Sequence, residues 1–299
     1  MRFEFIKQHR ATKKKKGWPV TMMCRLLKVS RAGFYTWSRR PRCASQECRE
    51  KLLNQIRQAY EKSRRTYGSW RVTADLKAQG VKVCRNTVAK LMHFAGLCVR
   101  PRRRFVPRTT DSRHDQPIAA NVLDRNFTAA APNTKWLADI TYVPTDEGFL
   151  YLATVLDLFS RKIVGWNMDD HLQSDLAGEA LRMALLSRSP PPGLLHHSDR
   201  GVQYTSAENR RLLSKHGLVP SMSRTGNCYD NAPMESFYGT LKNELVNEQF
   251  YATRAQARSS IFEFIEAFYN RQRRHSALGY KSPEEFEKGH EKLFNTPMT

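Results

Sequence analysis

Three acidic side chains in the second half of the chain stand where they could bind metal ions together. Asp139 interrupts an apolar stretch, Asp199 ends another, and Glu235 opens a third, with 35 residues between the second acid and the third. Carboxylate oxygens are ligands that Mg²⁺ prefers, and two such ions can neutralise a phosphodiester while activating an oxygen nucleophile. The residue types and their spacing therefore indicate phosphodiester chemistry.

Each of these acids also has an ordinary structural explanation. Aspartate is disfavoured in strands, so Asp139 is costly there unless it has a function. Asp199 precedes Arg200-Gly201 and fits a turn. Glu235 in a first helical turn could serve only the helix dipole. The functional interpretation therefore depends on the elements that position the three acids.

Hydrophobic periodicity predicts a mixed α/β sheet for residues 135–299. The strand-like segments, which are short and apolar, are 135–143, 149–158, 163–168, 194–198 and 218–223. The helical segments are 176–186, 207–216, 232–246 and 254–271. A three-strand meander followed by alternating helices and strands matches a ribonuclease-H-like core, with a mixed five-stranded sheet and flanking helices.

Positive charge is concentrated in the first third of the chain. The protein has a formal net charge of +22, and residues 1–110 hold 29 of the 50 Lys and Arg but only 5 of the 28 Asp and Glu. A segment this basic is stabilised by a polyanion, so nucleic acid is the expected partner. A solvated basic surface or a membrane-surface patch is the alternative, and no amphipathic membrane helix accompanies the charge.

Residues 1–100 are predicted to be an all-α DNA-binding region with two helix-turn-helix units. Helices at 21–27 and 31–39 form the first unit, and Ser30 could cap its second helix. Helices at 71–79 and 85–95 form the second unit. A basic, proline-containing linker is predicted at 101–134. The expected DNA contacts in these segments are Arg31, Arg85, Asn86, Lys90, Arg102, Arg103 and Arg104.

Composition excludes several other classes of protein. Hydrophobic residues make up 40% of the chain, which is enough for a core, and no stretch of about 18 apolar residues could span a membrane. The start of the chain is charged without an apolar segment behind it, so no signal peptide is expected. Six cysteines are too few for a disulfide scaffold, which favours reduced thiols in the cytoplasm.

Residues beside the acids are predicted to have structural roles. Asp157 is expected to form a salt bridge, and His197 is expected to pack within its strand rather than bind a metal. Asn231 could contact DNA or cap a helix, and capping is favoured. The loop 224–230 is expected to be mobile until DNA binds.

The motifs around the acids resemble those of the OrfB product of the insertion-sequence-three family, and the acid spacing is that of retroviral integrases. The motifs that carry this resemblance are Trp136-x-x-Asp139-Ile140-Thr141-Tyr142, His197-Ser198-Asp199-x-Gly201-x-Gln203-Tyr204 and Asp230-Asn231-Ala232-x-x-Glu235-Ser236-Phe237. Two further matches are Tyr67-Gly68-x-x-Arg71 and Tyr269-Asn270-x-x-Arg273-x-His275-Ser276-x-Leu278-Gly279-Tyr280. Position 274 is often Pro in similar sequences and is Arg here, with little consequence expected.

The resemblance implies a DNA transposase that cleaves and transfers strands. Asp139, Asp199 and Glu235 would bind two Mg²⁺ ions per active site, which Mn²⁺ could replace. Lys242 lies two helical turns after Glu235, where similar integrases carry a lysine that contacts DNA. Gln203 follows the second acid and could also touch the substrate.

The same resemblance implies partners. These are the terminal inverted repeats of an element, target DNA, a second copy of the chain on DNA, and an upstream OrfA product or a frameshift fusion with it. A start directly in the basic region is consistent with the downstream half of such a fusion.

Two other functions stay open at this point. The chain could be a DNA-binding regulator with an inactive core, although all three acids stand at the required spacing. It could also be a nuclease that cleaves without joining. Two N-terminal DNA-binding units favour synapsis of specific ends over general degradation.

Overall fold

The computed structural model describes residues 2–10, 16–39, 44–99, 116–225 and 227–295. The chain divides into two compact units, Met1–Gln58 and Ala59–Thr299, and each is described by itself. The domain boundaries expected near residues 100 and 134 stay predictions. Within the described ranges, no helix combines the length and the apolar character that a membrane span requires.

The first unit is built from short helices around a small apolar core. Its helices are α1 (Arg2–His9), α2 (Val20–Leu26) and α3 (Arg31–Arg39), followed by the start of α4 (Ala44–Lys62). The buried core consists of Ile6, Met23, Cys24 and Phe34. The Ser30 hydroxyl accepts a hydrogen bond from the Gly33 amide at 2.8 Å, which confirms that Ser30 caps α3.

After the end of α4, the second unit continues with a helical pair, α5 (Ser69–Ala78) and α6 (Arg85–Phe94). Their apolar faces are buried at Val72, Leu76, Val88, Leu91 and Met92. This leaves the opposite face of α6 exposed to solvent, as its 3.6-residue periodicity predicts. Together with the first unit, the pair confirms an all-α region ahead of the sheet.

A mixed sheet of five strands forms the centre of the second unit. The strands are β1 (Lys135–Thr145), β2 (Gly148–Asp157), β3 (Ile163–Asp169), β4 (Leu195–Ser198) and β5 (Val219–Met222), in the order β3-β2-β1-β4-β5. The first three strands pair antiparallel, whereas β4 runs parallel to both β1 and β5. The topology confirms the predicted meander and the ribonuclease-H-like core.

Helices cover both faces of this sheet. One face carries α7 (Ser174–Arg188), α8 (Val202–Thr205) and α9 (Ala207–Lys215), and the other carries α10 (Ala232–Glu244) and α11 (Arg254–Glu263). Alternation along β1 places Trp136 and Ala138 on the α7 side and Leu137 and Val143 on the α10 side. Asp139 shares the parity of Leu137 and therefore points to the side of the sheet covered by α10.

Close packing between α7 and β3 depends on one glycine. A Cβ atom at Gly165 would lie less than 3.0 Å from the Ala180 carbonyl oxygen and from the Ala184 backbone nitrogen. Helix backbone cannot yield as a flexible side chain can. The seating of α7 on the sheet therefore requires the absence of a side chain at this position.

Several elements differ from the sequence-based expectation. Helices α1, α8 and α12 (Pro283–Asn295) were not predicted, and the single helix expected over 254–271 is α11 followed by a π-helical segment, Phe264–Tyr269. Residues 116–134 lack regular structure, as their composition predicts, yet Leu123 is buried in the apolar cluster beneath α10. This stretch is therefore packed against the core rather than extended through solvent.

Candidate active site

Asp139 lies in the middle of β1, opposite Thr154 of β2. One of its carboxylate oxygens accepts a hydrogen bond from the Ile140 amide at 2.8 Å. The Tyr238 hydroxyl of α10 donates to the Asp139 carbonyl oxygen at 2.5 Å and lies 2.8 Å from the Thr154 hydroxyl. These bonds fix the strand segment that carries the first acid against the helix that carries the third.

Asp199 follows β4 directly, next to Asp139. The parallel register ends with the pair Leu137 and His197, and Asp139 and Asp199 each follow this pair by two residues, so both acids lie just beyond the same end of the paired segment. The Asp199 carboxylate accepts from the Gly201 amide at 3.0 Å. A Cβ at Gly201 would lie 2.8 Å from Gln203 Oε1 and 3.1 Å from Asp199 Oδ1, so a side chain here would displace the ends of these two side chains.

Glu235 lies in the exposed first turn of α10. The start of this helix is tied to β1, because the Asn231 side-chain amide donates to the Ala138 carbonyl oxygen at 3.4 Å. Asn231 occupies the N-cap position, but its side chain accepts no hydrogen bond from the helix, so the expected capping role is wrong. The residue instead connects the first turn of α10 to the neighbour of Asp139.

Asp199 and Glu235 lie close enough to Asp139 for their charges to act on it. Burial raises the pKa of Asp139 well above its usual range, the Asp199 and Glu235 carboxylates raise it further, and the Ile140 amide and Lys242 oppose them. In the part of the chain that the structure describes, only Asp169, Asp170 and His171 bring three potential metal-ligand atoms within 4.8 Å of one another. The carboxylate oxygens of Asp139, Asp199 and Glu235 therefore do not all lie within 4.8 Å of one another.

Lys242 and Gln203 have different surroundings. Lys242 Nζ lies 5.0 Å from the centre of the Tyr142 ring, and burial lowers the pKa of this lysine while the Asp139 charge opposes that shift. Gln203 is buried, and its amide donates to the Leu172 carbonyl oxygen at 3.1 Å. DNA contact by either residue stays a prediction.

The other expected DNA contacts lie on helices. Arg31 is exposed at the start of α3, in the first unit, and Arg85, Asn86 and Lys90 are exposed together on α6. Arg85 is 4.5 Å from the ring centre of Trp70 and donates to the Asn86 side chain at 3.0 Å. Trp70 is 60% exposed and was missed, although an aromatic residue beside a basic helix is a usual nucleic-acid contact. Arg102, Arg103 and Arg104 lie outside the described residues.

The loop before Glu235 is held by an ion-pair cluster that the sequence pattern did not predict. Asp230 is fully buried and accepts from the Arg224 guanidinium at 2.7 and 2.9 Å, from Arg125 at 2.9 Å and from the Asn121 amide at 3.0 Å. These hydrogen bonds, those from Arg224 foremost, hold the pKa of Asp230 well below its usual range. The end of the loop is therefore tied to residues 121–125.

Two neighbouring predictions are confirmed. His197 is buried in β4 with Nδ1 2.8 Å from the Ser221 hydroxyl and Nε2 3.0 Å from the Ser223 hydroxyl, so it is a packed strand residue. Asp157 forms a salt bridge, with Arg188 as its partner at 3.6 Å.

Family models match most of the second unit and the end of the first. An integrase core domain model matches residues 129–228, a second integrase core domain model matches residues 216–283, and an HTH-like domain model matches residues 47–105. The helix pair α5–α6 falls within the last match, whereas α2 and α3 precede it.

Similar proteins include two from insertion sequences. An uncharacterized 31 kDa protein of insertion element IS600 from Shigella sonnei is 46% identical over 90% of this chain and 99% of its own length. Transposase InsF for insertion sequence IS3A from Escherichia coli (strain K12) is 42% identical over 96% of this chain and 98% of its own length. Among solved structures, the HTLV-2 integrase catalytic core domain in complex with magnesium is 18% identical, with a TM-score of 0.42 over 54% of this chain and 99% of that one.

Proposed function

This chain belongs to the InsF transposase family of insertion sequence IS3, and we propose that it cleaves and joins DNA strands at the ends of a mobile element. The observation that carries this proposal is that Asp139 lies on β1, Asp199 directly follows the adjacent parallel strand β4, and Glu235 lies in the first turn of α10. Phosphodiester chemistry needs such a set of convergent carboxylates.

We assign the three acids as ligands of two divalent metal ions, with Mg²⁺ as the expected ion and Mn²⁺ as a substitute. The donor set fits, since it consists of carboxylate oxygens alone. The raised pKa of Asp139 supports the same assignment, because a bound cation would favour the charged carboxylate against both its burial and the repulsion from its neighbours. When bound, the ions would neutralise the scissile phosphate and activate the attacking oxygen.

The residues of the chain itself then hold the reacting groups in line. Tyr238 and Asn231 fix β1 to α10, and the Gly201 amide holds the Asp199 carboxylate. Lys242 would contact a DNA phosphate on the same helix as Glu235. Water would attack the phosphorus at the element end and release a 3′-OH. That hydroxyl would then attack a second phosphodiester and displace its 3′ oxygen, so the chain needs no Ser or Tyr nucleophile.

End recognition is assigned to the basic helices. The exposed face of α6, with Arg85, Asn86 and Lys90, offers side chains that can contact phosphates and base edges. The DNA substrates would be terminal inverted repeats and target DNA. Synapsis of two ends requires at least two copies on DNA, and an upstream OrfA product or frameshift fusion is a further expected partner. Such a protein would act at the bacterial nucleoid.

A strand-joining assay tests the proposal. Purified protein and labelled terminal-repeat DNA are incubated with Mg²⁺ or with EDTA, using the wild type and the variants Asp199→Asn and Glu235→Gln. Joined products should require the metal and disappear in both variants, while binding to end DNA stays nearly intact. Asp169→Asn is the matched control, because it neutralises an acid of the separate Asp169–His171 group.

The outcomes separate the competing functions. Joining that persists in Asp199→Asn would overturn the assignment of the three acids. Cleaved but unjoined strands in the wild type would identify a nuclease. Specific binding without strand chemistry, unchanged after addition of the frameshift fusion, would identify a regulator with an inactive core.

A further inference from the structure

Two sequence motifs that are about 200 residues apart meet in the second unit. Tyr67, from the first motif, is buried, and its hydroxyl accepts from the Arg274 amide at 2.6 Å and donates to the Gln272 carbonyl oxygen at 3.3 Å. A single phenol thus bonds to two backbone groups of the C-terminal motif. The two motifs have no role in the proposed cleavage and joining of DNA strands, and they are in direct contact with each other.

Arg274 adds an ion pair to the same contact. Its Nε and Nη2 lie 3.0 and 2.9 Å from one carboxylate oxygen of Asp75 on α5, and Nη1 donates to the Tyr280 carbonyl oxygen at 2.9 Å. The Arg274 and Asp75 side chains are only 12% and 14% exposed. An arginine with these partners is fixed in both position and direction.

A second ion pair continues the contact to the catalytic helix. Arg273 makes a two-bond pair with Glu244, at 2.7 and 2.6 Å, and Arg71 of α5 lies 3.7 Å from the same glutamate. Glu244 is the last residue of α10, and Glu235 is in its first turn. The two lie nine positions apart on the helix, or about 14 Å along its axis.

We propose that Tyr67, Arg71, Asp75, Glu244, Arg273 and Arg274, here called the docking cluster, set the position of helices α5 and α6 relative to α10. DNA bound on the exposed face of α6 is thereby held at a fixed distance from the three acids. These are positioning residues, since they act through the two helices rather than on the DNA. The inference rests on the proposed function of the chain as a DNA strand transferase.

The bonds of the docking cluster are directional, so they should determine where the α5–α6 pair lies as well as how stable it is. The α5–α6 pair has its own apolar contacts, at Val72, Leu76 and Val88 among others. The docking cluster instead consists of ion pairs and hydrogen bonds, and its hydrogen bonds weaken steeply when distance or angle changes. The loss of one ion pair should therefore misplace the helix pair before it unfolds it.

A double-mutant cycle on Asp75 and Arg274 tests the inference with the full-length chain. Asp75→Asn and Arg274→Gln should each lower the rate of strand joining at least about tenfold, because each removes the Asp75–Arg274 ion pair from a largely buried site. The double variant should be no slower than the slower single variant. Affinity for end DNA should stay within about twofold of the wild type, since the α6 face is unaltered.

The exposed pair Glu61–Arg65 provides the matched control. Its partners are 2.9 Å apart and 55% and 69% exposed, so Glu61→Gln and Arg65→Gln should join strands at the wild-type rate. Wild-type joining in Asp75→Asn and Arg274→Gln would refute the docking cluster. A joint fall of joining, DNA affinity and thermal midpoint would also refute it, because that pattern reports unfolding.

Amide hydrogen exchange tests the docking cluster without any measurement of DNA cleavage or joining, and so keeps this inference separate from the proposed function. In Tyr67→Phe the amide of Arg274 loses its acceptor and should exchange its hydrogen faster, at least about tenfold, while the β1–β2 amides keep their protection. Unchanged exchange at residue 274 would overturn the docking cluster. Absence of joining by the wild type, with this faster exchange observed, would instead count against the proposed function alone.

Discussion

The same substitution, glycine to alanine, should have opposite effects at two positions of the second unit. At Gly165 on β3, a methyl group would meet helix backbone at less than 3.0 Å on two sides, the Ala180 oxygen and the Ala184 nitrogen. At Gly239 on α10, a methyl group would have no heavy atom within 4 Å. The Gly165 variant thus measures the cost of overpacking, and the Gly239 variant measures the gain in helix propensity.

The magnitudes follow from these surroundings. Overpacking a core typically costs about 1–3 kcal/mol, and the rigid obstacle at Gly165 places Gly165→Ala at about 3 kcal/mol of destabilisation. Alanine is more favourable than glycine inside a helix by about 1 kcal/mol, so Gly239→Ala should stabilise by about that amount. The difference of about 4 kcal/mol between the variants is far outside the error of the method.

Urea unfolding followed by circular dichroism measures both variants against the wild type. The midpoint should fall in Gly165→Ala and rise in Gly239→Ala, with similar slopes. A Gly165→Ala protein within 0.5 kcal/mol of the wild type, on the order of the usual effect of a surface substitution, would show that α7 is not seated through this glycine. A destabilised Gly239→Ala would show that something in the folded chain occupies the space beside α10.

Three further predictions concern single side chains near the site. His196 has a pKa lowered from 6.5 to about 4, chiefly by burial, so on acidification the unfolded chain takes up a proton at this residue before the folded chain does. The free energy of unfolding should therefore fall between pH 6.5 and pH 4. His196→Leu should flatten that decline in urea melts measured across this pH range. Asp230→Ala should cost about 2 kcal/mol of unfolding free energy, because a fully buried ion-pair and hydrogen-bond partner is lost, and an unchanged urea midpoint would contradict the role given to it. Tyr238→Phe should cost about 1 kcal/mol and slow strand joining by displacing Asp139, whereas joining at the wild-type rate would show that this hydroxyl does not position the acid.

The local sequence pattern was sufficient to predict the sheet that positions the three acids. Apolar runs bounded by turns located all five strands to within a few residues, and the placement of Asp139, Asp199 and Glu235 on their elements followed from that. The Ser30 cap was likewise predictable, since a cap is a bond between residues three positions apart.

Contacts between distant segments could not be predicted in the same way. Asp230 lies in a polar loop that suggests mobility, and only the fold brings Arg125 and Asn121 to it. Little consequence was expected of arginine at position 274, yet its partner Asp75 is 199 residues away. Gln203 follows an acid in sequence but turns inward to the Leu172 carbonyl oxygen. Hydrophobic periodicity indicates which face of a helix or strand is buried. It does not identify hydrogen-bond or ion-pair partners that lie on other elements.

The hydrogen bond between Tyr67 and residue 274 also has a consequence for biosynthesis. Its two ends are separated by 207 residues of chain. At a synthesis rate of about 5–20 residues per second, residue 274 leaves the ribosome roughly 10–40 s after Tyr67. Helices α5 and α6 can form as soon as they emerge, because their contacts are local. Their seating against α10, however, must wait until residue 274 has been translated, so each newly made molecule passes through a stage with the helix pair formed but not yet docked.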